Sequence, residues 1–147
     1  MKMLVLVLVM LGAAARPRAE QAPAAAADPF KFSSDAAAII WTIKPDQTEN
    51  FESVWSVIRT RLIASPKPEL KALGEGLRIF KANVPPSPQG ITYFFFADPV
   101  SKTTSYEVSP FLLFTSGLFE RAEADELLKM IQATIVQINP VPLSAVK

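Results

Sequence analysis

The chain has 147 residues, 15 of them basic and 14 acidic, with no histidine and no cysteine. That length suits one domain, and a half-hydrophobic composition with ten Phe and two Trp excludes a disordered chain. The balanced charge supplies no basic surface for nucleic acid, the lack of Cys excludes disulfide staples, and the lack of both His and Cys excludes Ser-His-Asp and Cys-His nucleophiles and argues against haem or zinc.

Met1 and Lys2 carry a positive charge ahead of an unbroken apolar run from Leu4 to Leu11, and small residues stand at Ala13 and Ala15. This is the layout of a cleavable secretory signal over residues 1–15, with cleavage after Ala15. The apolar stretch is shorter than the roughly 20 residues a membrane-spanning helix needs, and no cysteine follows it to carry a lipid anchor. The expected product is exported, periplasmic or extracellular. Residues 16–35 are rich in Ala and Pro and read as a flexible spacer, which leaves 36–147 as the folded domain.

Within the domain, Ala37 to Ile43 is a β-branched and aromatic run closed by Pro45, which predicts a buried strand. Asp46 and Glu49 have capping-box spacing. Phe51, Val54, Trp55, Ile58 and Leu62 then recur as one helical stripe. Pro66 and Pro68 break that helix, and a further turn or two ends at Gly74 and Gly76. Leu77 to Val84 alternates as a second strand, followed by a Pro-rich loop and a third strand from Ile91 to Ala97. The short separation makes the two antiparallel. After a loop, Phe111 to Phe119 is read as a short helix packed on the core, with an oligomer surface as the alternative. Ala124, Leu127, Leu128 and Ile131 predict a second long helix. Ile135 to Ile138 is a last strand, which Pro140 and Pro142 require to be short or at an edge.

This order, βαββαβ, predicts an α+β domain of ferredoxin-like type, an antiparallel sheet with helices on one face. The segments Lys44-Pro45-Asp46-Gln47, Arg78-Ile79-Phe80-Lys81 and Tyr93 to Pro99, in this arrangement, resemble the dimeric α/β-barrel superfamily of small monooxygenases and stress-responsive barrel proteins, and resemble uncharacterised exported bacterial proteins. The resemblance spans about Ala37 to Ile138. It implies a homodimer with paired sheets and a pocket between sheet and helices.

The residues left for chemistry are Lys81, Asn83, Tyr93, Asp98 and Tyr106, with Trp41 and Trp55 as aromatic walls. Each has a plainer role as well: Trp in the core, Tyr93 at a sheet edge, Asp98 capping the turn at Pro99. No cofactor and no metal are expected, since the acids from Glu120 to Glu126 suit a solvated helix start. Three readings follow: a non-enzymatic dimer that binds a small apolar ligand or a protein, a cofactor-independent monooxygenase-like enzyme, and a structural envelope protein.

Overall fold

The computed structural model describes residues 27–85 and 88–146. The expected signal and the spacer up to residue 26 lie outside the described residues. The first strand, β1 (Ala36–Ile43), is central, in a four-stranded sheet of order β2-β3-β1-β4 in which every neighbouring pair is antiparallel. β2 is Leu77–Lys81, β3 is Ile91–Ala97 and β4 is Ile135–Leu143. The domain is thus α+β with an open antiparallel sheet, compatible with a ferredoxin-like arrangement. Alternation turns Ala37, Ile39, Trp41 and Ile43 of β1, and Tyr93, Phe95 and Ala97 of β3, into the main core.

The capping box expected at Asp46 is not formed. Pro45 opens a single 3-10 turn, Pro45–Gln47, and α1 (Thr48–Ile63) starts only after it, with no side-chain cap bond at either start. A proline with fixed φ and no N–H suits a tight turn, and this one carries the helix start past the would-be cap. The expected apolar stripe is the buried face of α1: Phe51, Val54, Trp55, Ile58 and Leu62. α2 (Pro68–Gly76) packs beside it. β2 ends at Lys81, three residues before the alternating pattern does, and leaves Val84 exposed. Past that point Pro85 and Pro86 have no N–H with which to continue a ladder.

The segment Val108–Thr115 is a short helix, as expected, but of π type, with Leu112 N–H donating to Glu107 C=O at 3.0 Å and Ser116 N–H to Phe111 C=O at 2.9 Å. Leu112 and Leu113 are buried, in accord with the core reading. α3 (Arg121–Thr134) buries Ala124, Leu127 and Ile131. Its end is closed by Lys44, whose backbone N–H donates to Thr134 C=O at 2.9 Å and whose ammonium donates to Ala133 C=O at 2.7 Å, a cation where the helix dipole favours one. β4 is longer than the pattern suggested and continues through Pro140 and Pro142 to Leu143. It pairs with β1 on one side and is an edge on the other, the place where a sheet tolerates proline.

Residues 28–34, assigned to the spacer by composition, carry no helix or strand, yet Phe32 is buried against Tyr106 at a ring separation of 5.7 Å. Phe30 C=O accepts the Tyr106 N–H at 3.0 Å.

Candidate functional site

An aromatic group lies between sheet and helices. Trp41 contacts Phe51, Trp55 and Phe95 at ring separations of 5.5, 5.6 and 5.5 Å, and Trp55 meets Phe95 edge to face at 4.5 Å. Both tryptophans are buried, at 1 % and 4 % exposure, and neither indole N–H has a hydrogen-bond acceptor among the described residues. The two candidate aromatic walls are therefore mostly core.

Two of the candidate polar residues do come together. At the β2 edge, the Tyr93 hydroxyl donates to Glu52 Oε1 at 2.5 Å, the Lys81 ammonium donates to the same oxygen at 2.9 Å, and the ammonium lies 5.6 Å over the Tyr93 ring. Glu52 comes from α1, beside the buried stripe that begins at Phe51, and is not among the residues the sequence singled out. It is the functional residue that the sequence reading missed. The cluster borders a groove of about 400 Å³ between α1 and β2, walled by Trp55, Ile63, Ile79 and Tyr93 and reaching Arg59.

The electrostatics of this cluster work against proton exchange near neutrality. Hydrogen bonds from Tyr93 and Lys81 hold the Glu52 carboxyl below the usual carboxylate range. The bond to Glu52 holds Lys81 above the usual ammonium range, and burial, followed by the bond to Glu52, pushes the Tyr93 phenol up to about 12. Carboxylate, ammonium and neutral phenol are then fixed together, so the cluster ties α1 to the sheet edge and is poorly placed to act as a general base at pH 7.

This has a measurable consequence. The phenol of the unfolded chain ionises near 10 and that of the folded chain near 12, so the unfolded state releases its proton first and stability falls as pH rises through that interval. Lys81, raised in the same sense, adds to the trend. Tyr93→Phe is expected to lower stability at pH 8 by about 1 kcal/mol and to show a smaller further loss between pH 10 and 11 than the parent, read from urea midpoints at each pH. An equal alkaline loss in both proteins would show that Tyr93 does not carry it.

The remaining candidates are not gathered here. Asn83 is exposed beyond the end of β2, on a shallow groove with Lys81, Val84 and Ile91. Asp98 is exposed just past the end of β3, five residues or roughly 17 Å along the chain from Tyr93. Tyr106 is buried, its hydroxyl accepting the Ser101 N–H at 2.9 Å, and burial raises its phenol. It braces the loop after β3. Acids of α3 are paired, Glu123 with Arg61, Asp125 with Arg121 and Glu126 with Lys129, and the described residues hold no group of three or more potential metal ligands.

Two further surfaces stand out. Beneath α3, Phe30, Trp41, Val108, Leu128, Ile131 and Ile138 wall a mostly apolar recess of about 190 Å³ that opens past Glu107, Ser109 and Gln132. On the sheet face away from the helices, strand alternation places Ala38 and Ile40 of β1, Phe80 of β2, Phe94 and Phe96 of β3 and Val141 of β4. Phe94 stacks on Phe96 at 6.3 Å, Phe80 meets Phe96 at 5.9 Å, and Phe80 is 48 % exposed. None of the three phenylalanines belongs to the core cluster.

The molecule is an α+β domain with an open antiparallel sheet, an edge cluster of fixed charges, an apolar recess and a largely apolar sheet face. Among the described residues no helix is long and apolar enough to cross a membrane. Comparison with protein-family models, curated proteins and solved structures returns no significant match.

Proposed function

We propose that the protein is an exported, ferredoxin-like binding domain without catalytic activity, which pairs two copies through their open sheet faces as a dimeric α/β barrel and holds a small apolar ligand in the recess beneath α3. The apolar sheet face is the observation that carries this reading. Among the described residues Arg78, whose guanidinium lies 6.0 Å from the centre of the Phe80 ring, is the only charged residue at the outward strand positions of that face, so the surface around Phe94 can meet its copy without opposed like charges and both copies bury the same surface around a two-fold axis. The recess supports the ligand part, since an apolar cavity with a few polar groups at its mouth is the usual form of a small-molecule site. The edge cluster, with no group poised near pH 7, supports binding over acid–base catalysis.

Native mass spectrometry of the protein recovered from the periplasm of a bacterial host tests the parts together. The expected species is a dimer of chains that have lost residues 1–15, with added small-molecule mass where ligand is retained. Phe94→Asp, placed at the middle of the face, is expected to give a folded monomer. A wild-type monomer at micromolar concentration overturns the barrel, and a full-length mass overturns the cleaved signal.

A further inference from the structure

We infer that the recess beneath α3 takes a small apolar amine, its body among Trp41, Leu128, Ile131 and Ile138 and its ammonium head at Glu107 beside Asp28. The inference rests on the small-ligand reading above and adds the chemical class.

Charge at the mouth of the recess selects the head group. Glu107 is half-buried, and its carboxyl is raised by burial first and by the neighbouring charge of Asp28 second. Neither acid forms an ion pair among the described residues. Asp28 Oδ1 accepts the Phe30 N–H at 2.8 Å, and the Phe30 C=O in turn accepts the Tyr106 N–H, so the arm bearing Asp28 is docked onto the segment bearing Glu107. Glu107 thus lines the recess with the charge of Asp28 acting on it, and among the described residues neither acid has a cation paired with it. An ammonium placed there removes the mutual repulsion and offsets the desolvation of Glu107. A hydroxyl offsets far less, and a carboxylate adds a third like charge. Ser109 and Gln132, whose side chains make no hydrogen bond among the described residues, can accept the remaining ammonium N–H groups.

The apolar walls select the body. A volume of about 190 Å³ equals roughly six waters at ~30 Å³ each, the size of one six-membered ring with a two-carbon arm.

The test titrates 2-phenylethylamine, 2-phenylethanol and 3-phenylpropionate into the purified protein by calorimetry. The amine is expected to bind at least tenfold more tightly than the alcohol, with the acid weakest. Glu107→Gln is expected to bring the amine to the level of the alcohol and leave the alcohol unchanged, and Asp28→Asn to lower amine binding by a smaller factor. Equal binding of amine and alcohol, or an amine preference that survives both substitutions, overturns the amine assignment and leaves the small-ligand reading standing. If none of the three probes binds, that reading falls with it.

Discussion

Gly74→Val is expected to destabilise the fold by about 3 kcal/mol, with Gly74→Ala costing distinctly less, as read from urea midpoints. Gly74 lies in α2 where that helix crosses the end of α1, and a Cβ built there would stand 2.7 Å from Leu62 Cβ and 3.2 Å from the Ile63 backbone nitrogen. Neither neighbour can yield easily. Leu62 is fully buried in the core, and the Ile63 nitrogen is part of the helix backbone. Relief therefore means moving α2 away from α1, the kind of overpacking that costs about 1–3 kcal/mol or more. Alanine recovers up to about 1 kcal/mol because it is the better helix former, whereas valine adds two methyl groups to the clash. A Gly74→Val protein as stable as the parent would show that the two helices do not approach at this distance.

Trp41→Ala is expected to cost about 4 kcal/mol, a large part of the 5–15 kcal/mol that holds a domain of this size together. Trp41 sits on the central strand and touches three other aromatic rings, so its removal opens a void that β1 and α1 cannot both close. Trp41→Phe should be far milder, at about 1–2 kcal/mol. It keeps most of the ring contact, and it deletes an indole N–H that is buried with no acceptor among the described residues, a group whose burial carries a desolvation penalty of about 1–3 kcal/mol. Equilibrium unfolding of the two variants separates the contributions. A Trp41→Phe protein as damaged as Trp41→Ala would mean that the N–H has a partner after all, or that the six-membered ring does not fill the site.

The readings that succeeded share a cause: each depended on periodicity over several residues. The stripe from Phe51 to Leu62 and the alternation through Tyr93, Phe95 and Ala97 report which face is buried, and burial is what the fold selects at those positions. The order of strands and helices follows from those stretches. The readings that failed were local or depended on distant neighbours. Asp46 has a capping residue's chemistry, but Pro45 beside it sets the backbone and the helix begins later. β2 ends at Lys81, with the Ala82 N–H still donating to Thr92 C=O at 2.8 Å, a boundary that alternation does not register. Phe30 and Phe32 sit in a stretch whose composition reads as spacer, and only their contact with the segment around Tyr106 shows otherwise.

The candidate site was legible in part for the same reason. Lys81 and Tyr93 were singled out as polar residues near a strand end, and antiparallel pairing of β2 with β3 sets them opposite one another. Glu52 stands 29 residues before one and 41 before the other. On an isolated helix it is one more solvated acid. The one available signal was its place next to Phe51 at the border of the apolar stripe, where a carboxylate can reach over the edge of the sheet. The recess beneath α3 left no mark in the sequence, because the arm at Phe30, the π-helical segment and α3 meet there only in the folded chain.

The two prolines of β4 bear on how the molecule can grow. They are two residues apart and so share one orientation, and the pairing with β1 runs past both, which places their missing donors on the outer side. A foreign strand laid along that margin finds two vacant donor positions within three residues and cannot zip. The other margin, β2, offers only five residues. Lateral extension of the sheet, the route that leads to open-ended ribbons, is therefore obstructed on its longer side. Contact through the broad face has the opposite property: it uses up the surface it depends on, so an assembly made that way terminates at two.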